Sequence, residues 1–322
     1  MARTQPPVFK FKTAHEFAFS PAENHVAFFG GRDVSVFSFP EFKPVFAVHP
    51  IAHPSHIDFS SDGRRLVVKS TSGRTVILDA QTGRTVGDFR NQKEGEGSAA
   101  LFSSCGHYVV SVSWEGLLSV RDSATTELVF SQLYEGGMLS DLTTPRDRRF
   151  FIYSVGYRPP SDSQPPPPQT IVLRPWPIRA GECRELAQRW SFIAALQVSP
   201  TGRMLAIIHG APPKTMEIYD IEKSRVVASR AVRFGGTSIS IGWSPDETLI
   251  VINGDQRCFV LEMPKLTVRN EFALRYPCYM GFSPTSRFLA LGSWRTSFIV
   301  PVDYLPTFAE SSKADSQRSE EH

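Results

Sequence analysis

The chain has 322 residues, of which 41% are hydrophobic, and this is enough apolar material for a substantial core. Its 35 basic and 32 acidic side chains leave a formal net charge of +3, so the overall charge does not call for a nucleic acid or an anionic membrane as partner. No run of the sequence approaches the roughly 18 apolar residues of a membrane helix, so no membrane helix is predicted.

The N-terminal segment MARTQPPVFKFK has no apolar stretch, so we expect no signal peptide. The four cysteines, Cys105, Cys183, Cys258 and Cys278, lie far apart without a C-x-x-C pair, and a disulfide framework is not expected. Both features predict a soluble protein of a reducing compartment, cytoplasmic or, in a eukaryotic cell, nuclear.

From the N-terminus onward the chain repeats one pattern: an apolar or aromatic residue, a Ser or Thr, a tight turn, and an apolar strand. The clearest copy runs from Ile57 to Phe89 and reads as four short strands separated by Gly-containing turns. Seven copies are present, and their Ser or Thr anchors are Ser20, Ser60, Ser103, Thr143, Ser199, Ser244 and Ser283. Their spacing is about 40–45 residues, with a longer interval between Thr143 and Ser199, and such a period is typical of propeller blades.

The repeat predicts an all-β protein, a seven-bladed β-propeller of four-stranded antiparallel blades. After the seventh anchor only one further good strand follows, Ser297 to Val302, so the last blade lacks a strand. We expect Val8 to Lys12 to supply it as the outer strand, which closes the ring and covers two sheet edges. Residues 1–309 are then the propeller, and residues 310–322, which are polar and charged, are predicted to be a disordered tail.

These units resemble degenerate WD40 repeats, most clearly from Phe59 to Phe89, Phe102 to Phe130 and Val198 to Val227. The Trp-Asp pair of that family is represented only by its acid, at Asp79, Asp122, Asp220 and Asp303, and its Gly-His pair is missing. The resemblance covers about residues 8–305. It implies a propeller that binds other proteins through the face carrying the loops between second and third strands and between successive blades.

Tyr157 to Thr170, YRPPSDSQPPPPQT, is the one clear insertion and interrupts the fourth unit. Proline cannot donate to a central ladder, so this segment is expected to leave the sheet as a loop with polyproline character near Pro165 to Pro168. One interpretation is that a polyproline-binding domain of a partner binds the loop. The other is that the loop is a flexible spacer to which no partner binds.

Several turns are expected on the binding face, and tryptophan occurs at matching turn positions of units three and seven. Tryptophan and arginine are enriched at binding hot spots, although a turn tryptophan also often folds over its own blade. The residues predicted to contact a partner protein are Arg32, Trp114, Arg158, Arg257, Trp294 and Arg295.

Two other functions remain open at the level of sequence. His49, His53 and His56 have a spacing compatible with zinc, and Asp33, Glu115 and Asp255 lie near loops, as in a metal-dependent hydrolase or lactonase-like propeller. The chain has no G-x-S-x-G, P-loop or H-E-x-x-H motif, so neither an enzyme nor a cofactor is expected.

The other alternative is an RNA- or ribosome-associated propeller with a basic set in units four and five. Its members are Arg146, Arg148, Arg149, Arg158, Arg174, Arg179, Arg184 and Arg189. Four acids interrupt this set, so a solvated blade edge is the preferred interpretation and nucleic acid is not expected as a partner.

Overall fold

A computed structural model describes residues 8–90, 99–157, 167–179, 181–186, 190–233 and 239–305. Over these residues the chain forms seven four-stranded antiparallel sheets and a single short 3-10 helix, Val302–Tyr304. The seven-bladed β-propeller predicted from the repeat is therefore confirmed. No helix in the described part of the chain is long and apolar enough to cross a membrane.

Each of the first six blades consists of four consecutive strands. Blade 1 contains β2 (Glu16–Phe19), β3 (His25–Gly30), β4 (Asp33–Ser38) and β5 (Pro44–Val48). Blade 2 contains β6 (Pro54–Phe59), β7 (Arg65–Ser70), β8 (Arg74–Asp79) and β9 (Thr85–Arg90). Blade 3 contains β10 (Ala100–Phe102), β11 (Tyr108–Val112), β12 (Leu117–Asp122) and β13 (Leu128–Leu133). Blade 4 contains β14 (Gly137–Thr143), β15 (Phe150–Tyr157), β16 (Thr170–Pro175) and β17 (Arg184–Glu185). Blade 5 contains β18 (Ile193–Val198), β19 (Met204–His209), β20 (Lys214–Asp220) and β21 (Arg225–Val232). Blade 6 contains β22 (Ile241–Trp243), β23 (Leu249–Gly254), β24 (Arg257–Glu262) and β25 (Thr267–Ala273).

Blade 7 combines the two ends of the described chain. It contains β26 (Pro277–Phe282), β27 (Phe288–Ser293), β28 (Ser297–Pro301) and β1 (Phe9–Phe11), with β1 as the outer strand. The register pairs Phe9 with Ile299 and Phe11 with Ser297. The predicted closure by the N-terminal strand is therefore confirmed, and it pairs the edge of β28 that would otherwise be open.

The repeated serine has a local structural task in every blade except the fourth. In the six others its hydroxyl accepts the backbone N–H five residues later at 2.9–3.2 Å, as between Ser60 and Arg65. This bond fixes the turn that joins the first and second strands. In blade 4 the hydroxyl of Thr144 instead donates to the carbonyl of Phe150 at 2.7 Å, and a bulge precedes it in β14.

The aspartates that end the third strands β8 and β12 also stabilise turns. Asp79 Oδ1 accepts the N–H groups of Gln81 and Thr82, and Asp122 Oδ1 accepts those of Ala124 and Thr125. Such a bond from a side chain to the following backbone is an Asx turn, which explains why aspartate recurs at the end of a third strand.

Apolar side chains of neighbouring blades form the core. One cluster joins Val36 of blade 1 to Ile57 and Leu66 of blade 2, all of which are buried, and equivalent clusters fill the other interfaces. The first strands of the blades are neighbours around a central channel. Burial on both sides of a blade is what allows single sheets, each without a core of its own, to form a stable ring.

Alternation of strand direction gives the ring two distinct faces. We call the face with the loops between second and third strands, and between blades, the upper face, and the opposite one the lower face. Residues 158–166, which include Arg158 and part of the Pro-rich insertion, lie outside the described residues, as do Arg189 and the predicted tail 310–322. The insertion is flanked by β15, which ends at the upper face, and by β16, which begins there.

Candidate partner-binding face

Exposed aromatic side chains divide the two faces sharply. Over the described residues five aromatic side chains are exposed, and all five lie on upper-face loops or strand ends: Trp114, Tyr157, Phe192, Tyr276 and Trp294. The exposed aliphatic residues Val45, Val86, Leu128, Val129, Val227 and Val268 lie instead on the outer strands. The upper face is therefore the one that offers aromatic contact area to another molecule.

Trp294 belongs to a compact group at the junction of blades 7 and 1. Its ring packs on His15 with centroids 3.9 Å apart, yet 57% of the residue stays exposed. Beside it the guanidinium of Arg295 lies over the ring of Tyr276 at 5.9 Å, and Tyr276 is 53% exposed. We call this group, with its flanking cations, the blade 7–1 patch: Lys12, His15, Arg32, Arg275, Tyr276, Trp294 and Arg295.

Buried serine hydroxyls hold the backbone beneath this patch. The Ser293 hydroxyl donates to the carbonyl of Arg275 at 2.5 Å and accepts the N–H of Arg295 at 2.9 Å. The Ser297 hydroxyl bonds with Ala14 on the ring-closing segment. Two loops of blade 7 and the ring-closing segment at the other end of the chain are thereby fixed together, so the backbone that carries the aromatic rings is held before any partner binds.

Trp114 projects from a tight turn of blade 3. Gly116 in this turn has a φ of +79°, and a Cβ at this position would lie 2.3 Å from the carbonyl oxygen of Tyr134. Only glycine fits both requirements. The turn therefore presents Trp114, which is 46% exposed, near the strand ends that carry Leu133, Met138 and Tyr157. We call Trp114, Leu133, Met138 and Tyr157 the blade 3–4 patch.

The remaining predicted contact residues have different settings. Arg32 is exposed in the turn of blade 1, next to the segment that contains Thr13, and so belongs to the blade 7–1 patch. Arg257 begins β24 and donates to Glu271 at 2.6 Å, where it also borders a cleft of about 720 Å³ between blades 5 and 6. Arg158 lies outside the described residues. That these side chains bind a partner stays a prediction.

Sequence reasoning missed His15 and Tyr276 as members of the aromatic group. Tyr276 precedes β26 in an Arg-Tyr-Pro sequence, and its place in a loop between blades was the available signal. His15 follows the ring-closing strand, so its position beside Trp294 depends on a contact between the two ends of the chain.

The three histidines considered for zinc have separate settings. The ring of His49 lies 3.5 Å from Asp33 on the upper face, His53 is exposed, and His56 lies in the channel. Asp33, Glu115 and Asp255 are on blades 1, 3 and 6, so no two of them share a blade or occupy neighbouring blades. Within the described ranges, no group of three or more His, Cys, Asp or Glu side chains has an arrangement suited to a metal ion.

The channel contains a group of polar and charged side chains that pair with one another. His56 Nδ1 lies 2.8 Å from Glu16 Oε1, and Arg148 reaches from blade 4 to form an ion pair with Asp58 of blade 2. Burial lowers the pKa of His56, but the charge and hydrogen bond of Glu16 outweigh this and leave the pKa above its usual value. The surrounding cavity of about 450 Å³ is lined by first strands and by the turns that follow them. These polar groups pair with one another across blades.

The basic set of units four and five does not form a single surface. Arg148 lies in the channel, and Arg174 is 2% exposed between blades 4 and 3, where its Nε donates to the Tyr153 hydroxyl at 3.0 Å. For these two arginines the interpretation as a solvated blade edge was wrong, because neighbouring blades cover them. Arg149 and Arg179 are exposed on the lower face and pair with Asp147 and Glu182.

No protein-family model and no curated protein matches this sequence. Among solved structures, the fold is similar to a chain of hydrazine synthase from Kuenenia stuttgartiensis, with a TM-score of 0.74 over 94% of this chain and 98% of that chain. The two sequences are 13% identical. At this identity the similarity shows the seven-bladed propeller fold alone.

Proposed function

We propose that this chain is a WD40-like propeller that acts as a non-catalytic scaffold and binds other proteins through its upper face. One observation carries the proposal: all five exposed aromatic side chains of the described residues lie on that face. A few aromatic anchors within a polar surround provide most of the energy of many protein interfaces. The compartment proposed for this activity is the cytoplasm, in keeping with four cysteines that are all free thiols.

Rigid display is the proposed mechanism. The blades fix the backbone, and the turns hold Trp114 and Trp294 with about half of each residue exposed. A partner that covers both patches gains the burial of two large rings, while the scaffold loses little conformational freedom. The two patches lie about half a turn apart around the ring, so one partner with two contact segments or two separate partners fit the same face.

The test compares proteins captured from native lysate by wild type and by Trp114→Ala/Trp294→Ala. The matched control is Leu128→Ala/Val129→Ala, which removes exposed apolar area from an outer strand. All three proteins should melt at the same temperature. We expect specific proteins to bind wild type and the control and to be lost from the tryptophan variant, and the purified partner to reproduce the loss.

Either of two results would overturn the scaffold proposal. If the tryptophan variant unfolds, the two residues are core residues and the upper face loses its anchors. If all three proteins capture the same set, the face does not bind. Stoichiometric metal in the purified protein with a chelator-sensitive hydrolytic activity would favour the hydrolase alternative, and steeply salt-dependent RNA binding would favour the RNA alternative.

A further inference from the structure

Unpaired positive charge surrounds the aromatic rings of the blade 7–1 patch. Lys12, Arg32, Arg275 and Arg295 are all exposed, and none has a carboxylate partner within the described part of the chain. Some exposed arginines elsewhere do have one, as Arg149 has Asp147 at 2.5 Å and Arg257 has Glu271 at 2.6 Å. The patch thus retains cations whose charge is available to another molecule.

Backbone contacts place these four cations around one centre. The Trp294 N–H donates to the carbonyl of Tyr276 at 3.0 Å, which sets the loop of Arg275 beside the turn of Arg295. The Thr13 hydroxyl donates to the carbonyl of Arg295 at 3.4 Å, which brings Lys12 alongside. The turn of Arg32 follows Gly30, where a Cβ would lie 2.3 Å from the carbonyl oxygen of Thr13.

The charge of the patch is permanent at neutral pH. Burial lowers the pKa of His15, so its imidazole is neutral at pH 7 and serves as a surface for Trp294. Guanidinium and ammonium groups supply the positive charge. Asp33, beside Arg32 in the same turn, lies 3.5 Å from the ring of His49. Asp255 lies in the adjoining turn of blade 6, where the carbonyl of Gln256 accepts the N–H of Leu274 at 2.9 Å. A ligand of this patch therefore meets three arginines, one lysine and two exposed aromatic rings.

Resting on the proposed scaffold function, we infer that the blade 7–1 patch binds an acidic peptide segment that carries an aromatic or apolar side chain. Carboxylates of such a segment pair with the arginines in charge-assisted hydrogen bonds, and its apolar side chain covers Trp294 and Tyr276. The rigid backbone beneath the patch limits the entropy lost on binding.

A peptide fits the face better than a nucleic acid does. A nucleic acid needs a track of cations that follows several phosphates. The four cations of the patch occupy one sector of this face. At two other exposed arginines of the face, Arg74 and Arg257, a carboxylate of the chain is already the partner, Asp88 and Glu271 respectively. The blade 3–4 patch on the other side is apolar and has Glu115 and Glu135 beside it. A short acidic segment needs only the one sector.

The test measures binding of a fluorescently labelled random copolymer of glutamate and tyrosine to the full chain by anisotropy. Poly-glutamate, poly-lysine and oligo-uridine serve as comparison probes. The test variant is Arg275→Glu/Arg295→Glu. The control, Arg64→Glu/Arg203→Glu, makes the same change in net charge at two exposed arginines of lower-face turns.

We expect the copolymer to bind wild type and the control equally and to bind the test variant at least about tenfold more weakly, because like charges now face each other. Trp294→Ala should weaken the binding of the copolymer more than it weakens the binding of poly-glutamate. Equal affinity for wild type and the test variant would overturn the inference, as would an equal loss in both charge variants. Tighter binding of oligo-uridine through the same arginines would make this a nucleic-acid site instead.

The capture experiment separates this inference from the scaffold proposal. In one outcome, proteins are lost from the Trp114→Ala/Trp294→Ala variant but retained by Arg275→Glu/Arg295→Glu. This result would support the scaffold proposal and overturn the inference that the patch binds an acidic peptide. Loss from neither variant would overturn both.

Discussion

Arg148 and Asp58 are 90 residues apart in sequence and form a bidentate ion pair inside the channel. Arg148 Nη1 donates to Asp58 Oδ2 at 2.6 Å, and Nη2 donates to Oδ1 at 2.8 Å. The same guanidinium donates to the carbonyls of Phe102 and Phe59 at 2.9 and 3.0 Å. One side chain of blade 4 therefore holds blades 2 and 3.

Arg148→Ala is expected to lower the free energy of unfolding by about 3 kcal/mol, because it leaves Asp58 without a counter-charge in a largely buried position. The matched control is Arg149→Ala in the same turn, whose pair with Asp147 is about half exposed. An exposed pair contributes at most about 1 kcal/mol. Urea unfolding measures both variants, and equal losses would show that the channel pair has no special role in stability.

The blade number could be predicted because each blade carries its own local signal. Ser60 and Arg65 are five residues apart, and their bond repeats in six blades. The ring closure followed from the count of strands. By contrast, the pair of Arg148 with Asp58 depends on the curvature of the ring, to which no sequence spacing corresponds.

The candidate site could be predicted only in part for the same reason. Trp114 and Trp294 were found because the turn between second and third strands is visible in sequence. His15 reaches Trp294 only when the chain ends meet in blade 7. The burial of Arg174 was missed because Tyr153 and the outer strand of blade 3 cover it, and a charged residue in a strand gives no sign of such a cover.

Removal of residues 1–12 is expected to destabilise the ring by about 3 kcal/mol and to promote aggregation. The deletion removes Phe9, which stacks on Phe42 with centroids 3.5 Å apart, and Phe11, which packs 4.8 Å from Phe28. It also leaves β28 as an open edge. Thermal melting and light scattering measure the two effects. The control Lys10→Ala, at an exposed position of β1, should behave as wild type, and a deleted chain that does so as well would contradict closure by this strand.

Glu16→Gln is expected to lower the pKa of His56, which Glu16 holds above its usual value. The raised pKa means that the folded state favours protonated His56. Its contribution to stability is therefore full below about pH 6.5 and disappears as the pH rises through the folded-state pKa. NMR titration of the histidine ring measures the pKa, and urea unfolding at pH 6 and pH 8 should show the larger loss for Glu16→Gln at pH 6. The exposed control Asp33→Asn should change stability little at either pH, and an unchanged His56 titration in Glu16→Gln would contradict the pairing.

Asp141 gives a dependence on pH of the same sign, because burial favours its protonated form. Burial raises the pKa of its carboxyl to about 6, although the hydroxyls of Ser154 and Ser140 donate to it. The folded state therefore favours the protonated acid, and stability falls as the pH rises from about 4 to above 6.

Asp141→Asn is thus expected to stabilise the protein by about 2 kcal/mol at pH 8 and to have little effect near pH 4. Asparagine is neutral and of the same shape, and it tolerates the positive φ of 56° at this position. The control is Asp88→Asn, since the hydrogen bond and charge of Arg74 lower the pKa of that exposed carboxyl. Its loss should be small and should appear at neutral pH rather than in acid. Urea unfolding across this range measures both, and an Asp141→Asn effect that does not grow with pH would show that the carboxyl is ionised in the folded protein without cost.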